Sequence, residues 1–227
     1  MTIAAATARQ NIDARAEPAK TCDYCSRLVE YRANNRRLYQ DYFNGPAPSF
    51  GPDDARLLIV GLAPGLHGAN RTGRPFTGDY AGDLLYATLS KFGFARGAYA
   101  ARPDDGLTLI DAMISNAVRC APPENKPTPA EIKTCRPFLA ARIDSLPRLE
   151  AIVCLGRIAH DSTLAALAVK SRDAPFAHAA EHKVGKGRIL FDSYHCSRYN
   201  TNTGRLTVDM FEKVFAAVRR RLDGADA

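Results

Sequence analysis

The sequence predicts an α/β fold: a three-layer αβα sandwich around a central, mostly parallel sheet of four strands. Two observations predict it. Short apolar runs at 55–65, 111–120, 148–156 and 187–195 have the length and loop boundaries of buried strands. Between them lie segments whose apolar residues recur at helical spacing, and strands that alternate with helices build parallel sheets covered by helices.

Each element follows in order. Residues 1–20, rich in Ala and Arg, are expected as a disordered tail, and 21–227 as a single domain. After Cys22 and Cys25 comes a helical spacing of Leu28, Tyr31, Leu38 and Tyr42. The Gly/Pro/Asp-rich stretch 44–54 is a loop, and ARLLIVGLAPG is the first strand. DYAGDLLYATLSKFGF is a helix with Leu84, Leu85, Thr88 and Leu89 near one face, and 96–107 reads as a loop. DAMISNAVRC is the second strand. Thr128 and Pro129, with Glu131 downstream, mark a helix start, the threonine as N-cap and the proline in the first turn. RLEAIVCLG is the third strand, RIAHDSTLAALAVK a helix, and GRILFDSYH the fourth strand, followed by the loop HCSRYNTNTG. The chain then forms an amphipathic helix with Val208, Phe211, Val214, Phe215 and Val218 on one face. In such a fold ligands bind beyond the carboxyl ends of the strands, so 61–78, the Asn116 region and 195–204 are expected to meet at one sheet edge.

With 227 residues, 46% hydrophobic and 24% charged, the chain has the composition of a soluble protein with one core. A net charge of +7 suits polyanionic partners such as nucleic acid. No run is long and apolar enough to span a bilayer, and the N-terminus lacks the apolar core of a secretory signal. A cytoplasmic monomer with reduced or metal-bound cysteines is therefore expected.

Cys22 and Cys25 form a Cys-x-x-Cys; Cys120 and Cys135 form a second, wider pair. Four thiolates can close a tetrahedral zinc site or hold an iron–sulfur cluster, and spacing leaves both open. Cys154 reads as a core residue within a strand.

Four motifs in order, GLAPGLHGANRTGRPFTGDYAGDLL at 61–85, SNAVRCAPPENKPTPAEIKTC at 115–135, CLGRIAH at 154–160 and HCSRYNTNTGRLT at 195–207, resemble those of family 5 (type b) uracil-DNA glycosylases, relatives of the iron–sulfur family 4 enzymes. The resemblance runs from Cys22 to about Thr207. It implies hydrolysis of the N-glycosidic bond of uracil and of larger deaminated or modified bases, including hypoxanthine and ethenocytosine, in double- or single-stranded DNA. It also implies a [4Fe–4S] cluster on Cys22, Cys25, Cys120 and Cys135.

The chemistry fits these residue types. A flipped base needs a flat apolar wall, the place matched by Phe76. An amide offers a donor and an acceptor side by side, the place of Asn116. His195 matches the histidine that donates to the departing base. Leu62 and Ala63 stand where many relatives carry a water-polarising residue, so Asp79 becomes the candidate for orienting water, although it also suits a helix N-cap; Asp83 is the alternative. Gly65 occupies a turn where some relatives carry a tyrosine, which implies a roomy pocket, and backbone at Gly61, Ala63 and Gly65 can approach the base closely. Arg71, Arg74, Lys126 and Arg205 are candidates for phosphates, and Tyr199 or Asn200 for filling the gap in the duplex. Cys196 replaces the proline of the usual His-Pro-Ser, which predicts a looser loop. Competing classes are a non-catalytic iron–sulfur nucleic-acid-binding module of the same fold and a zinc-stapled hydrolase of nucleotide-like molecules.

Overall fold

The computed structural model describes residues 17–224; of the tail expected over 1–20, residues 1–16 lie outside the described residues. In chain order the principal elements are α1 (Ser26–Leu38), β1 (Leu57–Gly61), α2 (Ala69–Thr72), α3 (Tyr80–Lys91), β2 (Ala95–Arg96), β3 (Thr108–Leu109), β4 (Ala112–Asn116), α4 (Pro129–Ser145), β5 (Ala151–Leu155), α5 (Arg157–Ala166), β6 (Glu181–Val184), β7 (Arg188–Ser193), α6 (Arg198–Asn202) and α7 (Val208–Leu222). The main sheet has the order β4-β1-β5-β7-β6. Its first four strands are parallel, and β6 runs antiparallel to β7.

Burial follows from the pleat. Alternate strand residues face opposite sides, so Leu57 and Ile59 join one core with Leu85, Leu89, Phe211 and Phe215 of α3 and α7. Leu58 and Val60 join the other with Leu139, Ile143 and Leu164 of α4 and α5. With helices on both faces, β1, β4 and β5 are buried along their whole lengths, which is why they read as continuous apolar runs.

The strand count is five rather than four. The additional strand, β6, has the sequence EHKV and is largely solvent-exposed; a short, charged edge strand carries no apolar signal. The segment expected as a loop over 96–107 is flanked by the small antiparallel β2–β3 ribbon. In α7, Leu222 is buried but Val208 is 56% exposed, because it stands at the first turn beyond the core. The first helix ends at Leu38, which is itself exposed, so Tyr42 lies outside it. Ordered contacts begin before Thr21: the Glu17 carboxylate pairs with Arg142 at 2.7 Å and with the buried Arg119 at 3.1 Å.

Helix ends obey local chemistry. Thr128 and Glu131 form a reciprocal capping box with Pro129 in the first turn of α4. Glu131 also accepts two hydrogen bonds from Arg27, at 2.8 Å each, tying α1 to α4.

Candidate active site

The carboxyl ends of β1, β4 and β7 deliver Leu62, Asn116 and the His195 loop to one cavity of about 700 Å³; Gly61, expected to approach the base, lies behind Asn116 and Phe76 and does not line it. Its lining includes Leu62, Ala63, Gly65, His67, Phe76, Asp79, Asn116, Asn125, His195 and Arg198. Past the strands, the Ala117 N–H donates to the Gly61 carbonyl at 2.9 Å and Val118 N–H to Leu62 at 3.0 Å, which holds the first two walls together.

Gly61 is glycine for reasons of space. A Cβ there would lie 2.4 Å from Asn116 Oδ1 and 2.7 Å from the Phe76 ring. Asn116 is 3% exposed, and its Oδ1 has no hydrogen-bond partner among the described residues. Such an orphan costs about 1–3 kcal/mol, a cost that a ligand donor would offset. Phe76 is buried beside it with φ at 52°, a left-handed backbone that costs a bulky residue about 1–3 kcal/mol. Its ring is 6.0 Å from the His195 ring and inclined by 29°.

Asp79 caps α3: its Oδ1 accepts from the Gly82 N–H at 3.3 Å. Its Oδ2 faces Gly65 and Gly68, where a Cβ at Gly68 would lie 2.3 Å away. The capping and pocket-facing readings of Asp79 are thus met by different oxygens of one carboxylate. Burial raises its pKa against the lowering effect of the Gly82 and Ala81 amides. For His195, burial pulls the imidazole down to about 4, so it is neutral at neutral pH. The Asn200 side chain donates to the His195 carbonyl at 2.8 Å. Cys196 is fully buried with Sγ 3.5 Å from the Ala81 carbonyl oxygen.

The basic candidates separate. Arg74 is 5% exposed, donates from both Nη atoms to Asp105 at 2.7 Å each and from Nε to Thr77. Its expected role on DNA phosphate is withdrawn: the guanidinium is buried and saturated. Arg71 is exposed, with Nη2 on the Gly78 carbonyl at 3.2 Å. Lys126 and Glu124 form an exposed pair, which holds the lysine weakly. Arg205 lies over the Tyr194 ring at 4.7 Å. Tyr199 is 72% exposed, whereas the Asn200 amide is occupied behind His195, so Asn200 is withdrawn as a duplex-filling side chain. Among the lining residues that sequence reasoning missed are His67, Asn125 and Arg198. His67 sits within the first motif, its Nδ1 3.0 Å from the Tyr42 hydroxyl. Asn125 enters from the Pro-rich loop with φ at 58°. Arg198 covers the Tyr80 ring at 5.2 Å.

A second pocket is lined by Cys22, Cys25, Cys120 and Cys135 together with Arg32 and Arg119. The Arg119 N–H donates to Cys135 Sγ at 3.4 Å and Arg32 Nη1 to Cys120 Sγ at 3.5 Å. Burial pushes the Cys120 thiol up to about 11 and Cys135 up to about 12, so bare thiolates are costly there. No three His, Cys, Asp or Glu side chains among the described residues converge closely enough to hold a single metal ion. Among the described residues, no helix is long and apolar enough to cross a membrane.

A cavity with an aromatic wall, an unpartnered amide oxygen, a half-buried carboxylate and a neutral imidazole suits a flat heterocycle with a hydrogen-bonding edge. The family model of the uracil DNA glycosylase superfamily matches residues 48–219. A type-5 uracil-DNA glycosylase of Thermus thermophilus is 43% identical over 88% of this chain and 93% of its own length. The type-5 enzyme of Mycobacterium tuberculosis is 42% identical over 88% of this chain and 77% of its own. That of Pyrobaculum aerophilum is 39% identical over 85% of each. The chain belongs to the uracil DNA glycosylase superfamily.

Proposed function

We propose that this protein hydrolyses the N-glycosidic bond of uracil in DNA, leaving an abasic site for base excision repair, and that it also releases larger bases such as hypoxanthine and ethenocytosine. The observation that carries the reading is the buried, unpaired Oδ1 of Asn116 facing Gly61 and the edge of Phe76. The base is flipped out of the duplex and stacks on Phe76. Asn116 accepts from the base N3–H through Oδ1 and donates to a carbonyl through Nδ2. Neutral His195 donates to the base O2 as negative charge develops there. Asp79 Oδ2, on the Gly65–Gly68 side, orients the water that attacks the sugar.

The cavity supports a broad substrate range, since Gly65 leaves open the volume that a larger side chain would fill. Arg71, Lys126, Arg198 and Arg205 supply cations for phosphates around the mouth, and Tyr199 fills the vacated stack. Cys22, Cys25, Cys120 and Cys135 hold a [4Fe–4S] cluster. All four cysteines line one half-buried pocket, and this supports a cluster held on their sulfurs. When bound, the cluster supplies a structural clamp, and the glycosidic bond is left to the residues of the other cavity.

The test is incubation with duplexes carrying one uracil, hypoxanthine or ethenocytosine, followed by hot alkali. Strand breaks at all three support the broad reading. Breaks at uracil alone would reduce it to a narrow one, and none at any base would sink the glycosylase reading.

A further inference from the structure

The left-handed backbone of Phe76 is secured by groups outside the cavity. The Tyr99 hydroxyl donates to the Phe76 carbonyl at 3.1 Å and accepts from the Gly78 N–H at 3.4 Å, so one oxygen clasps both ends of the turn. The Tyr86 hydroxyl donates to the Pro75 carbonyl at 2.7 Å. Arg74 holds Thr77 from within the same turn, and its partner Asp105 also accepts from the Ala100 and Leu107 N–H groups at 2.9 and 3.1 Å. Asp105 thereby fixes the chain excursion that carries Tyr99. The Tyr86 and Tyr99 rings stack at 4.5 Å, with the Arg74 guanidinium 5.4 and 5.8 Å from them.

Gly82 completes the arrangement. A Cβ there would lie 1.9 Å from the Phe76 carbonyl oxygen and 2.5 Å from the Tyr99 hydroxyl, so a side chain at this place would expel the clasp. Burial pushes the Tyr99 phenol up to about 12, and it therefore stays a donor at neutral pH. Neither Tyr99, Tyr86, Arg74 nor Asp105 lines the cavity.

We propose that Tyr99, fixed by the Arg74–Asp105 pair, is a positioning residue that holds Phe76 in its left-handed conformation and so sets the position of the wall against which the base stacks. This rests on the reading of Phe76 as that wall. Without the hydroxyl, the turn relaxes toward negative φ and the ring leaves its place above Gly61. Base binding then weakens while the groups that act on the glycosidic bond stay in position.

Tyr99→Phe removes one hydroxyl and keeps the ring stack. In isotope-labelled protein, the amide-to-Hα coupling of Phe76 reports its φ without any need for activity. It is expected to depart from the left-handed value in the variant; an unchanged coupling overturns the proposal whether or not the wild type releases uracil. With uracil DNA, KM is expected to rise about tenfold with kcat nearly constant, since the wall moves while the groups at the glycosidic bond stay in place. In a Phe76→Ala background the same substitution is expected to change nothing further, because the wall it positions is gone. An equal loss in both backgrounds would mean a general structural role and would also overturn it. A wild type that releases no base would count against the glycosylase reading alone, since the coupling measurement still decides the role of Tyr99.

Discussion

Asp79 caps α3, and in the proposed mechanism the same carboxylate also orients water. Its pKa is raised by desolvation, and only the ionised form can polarise water. Activity is therefore expected to fall as pH drops through this raised value. Asp79→Asn keeps a helix-capping oxygen but should lower kcat about 10²–10⁴-fold and abolish that acid limb; an unchanged rate–pH profile would reject the role. Gly61→Ala should leave the fold intact and raise KM sharply, because its Cβ would press on Asn116 and Phe76; calorimetry and steady-state kinetics together check this. The meeting of Phe76, Asn116 and His195 in one cavity was legible in sequence, because each lies on a segment that follows or ends an apolar run in a fold whose ligands bind beyond the strand ends. Arg74 was misread because the acid that buries it, Asp105, is remote in sequence and carries no local signal. The same distance hid Tyr42 from His67.

Among the elements, those whose signal is local were readable before any coordinates. The start of α4 was visible as Thr-Pro with a downstream glutamate, and the structure forms the full capping box. Thr128→Ala should cost about 1 kcal/mol of stability, measured by denaturant unfolding; no change would mean that the Arg27–Glu131 pair alone fixes this end. Strands β1, β4 and β5 announced themselves by continuous burial. The edge strand β6 did not, because solvent on one side permits Glu, His and Lys. Helix α6 lay hidden in a polar loop: its five residues are held by the Ser197 cap rather than by an apolar face.

The whole molecule joins the proposed base cavity to a cysteine pocket through one short stretch of chain. β4 ends at Asn116, and the chain reaches Cys120 after Arg119, whose guanidinium is buried against Glu17 and the Ala47 carbonyl. Purified protein is expected to be brown and to bleach with dithionite. Cys120→Ser should lose the visible absorbance and lower Tm; a colourless, zinc-loaded wild type would refute the cluster. The meeting of the two distant cysteine pairs was already expected from sequence, and the fold sets all four around one pocket. The glycosylase reading itself faces its most direct trial in single-turnover release of free uracil from a duplex with one U·G pair, by wild type and by Asn116→Ala. Stoichiometric release by the wild type, slowed about a hundredfold in Asn116→Ala, is the predicted result; no uracil from the wild type, or equal rates for the two proteins, would contradict it.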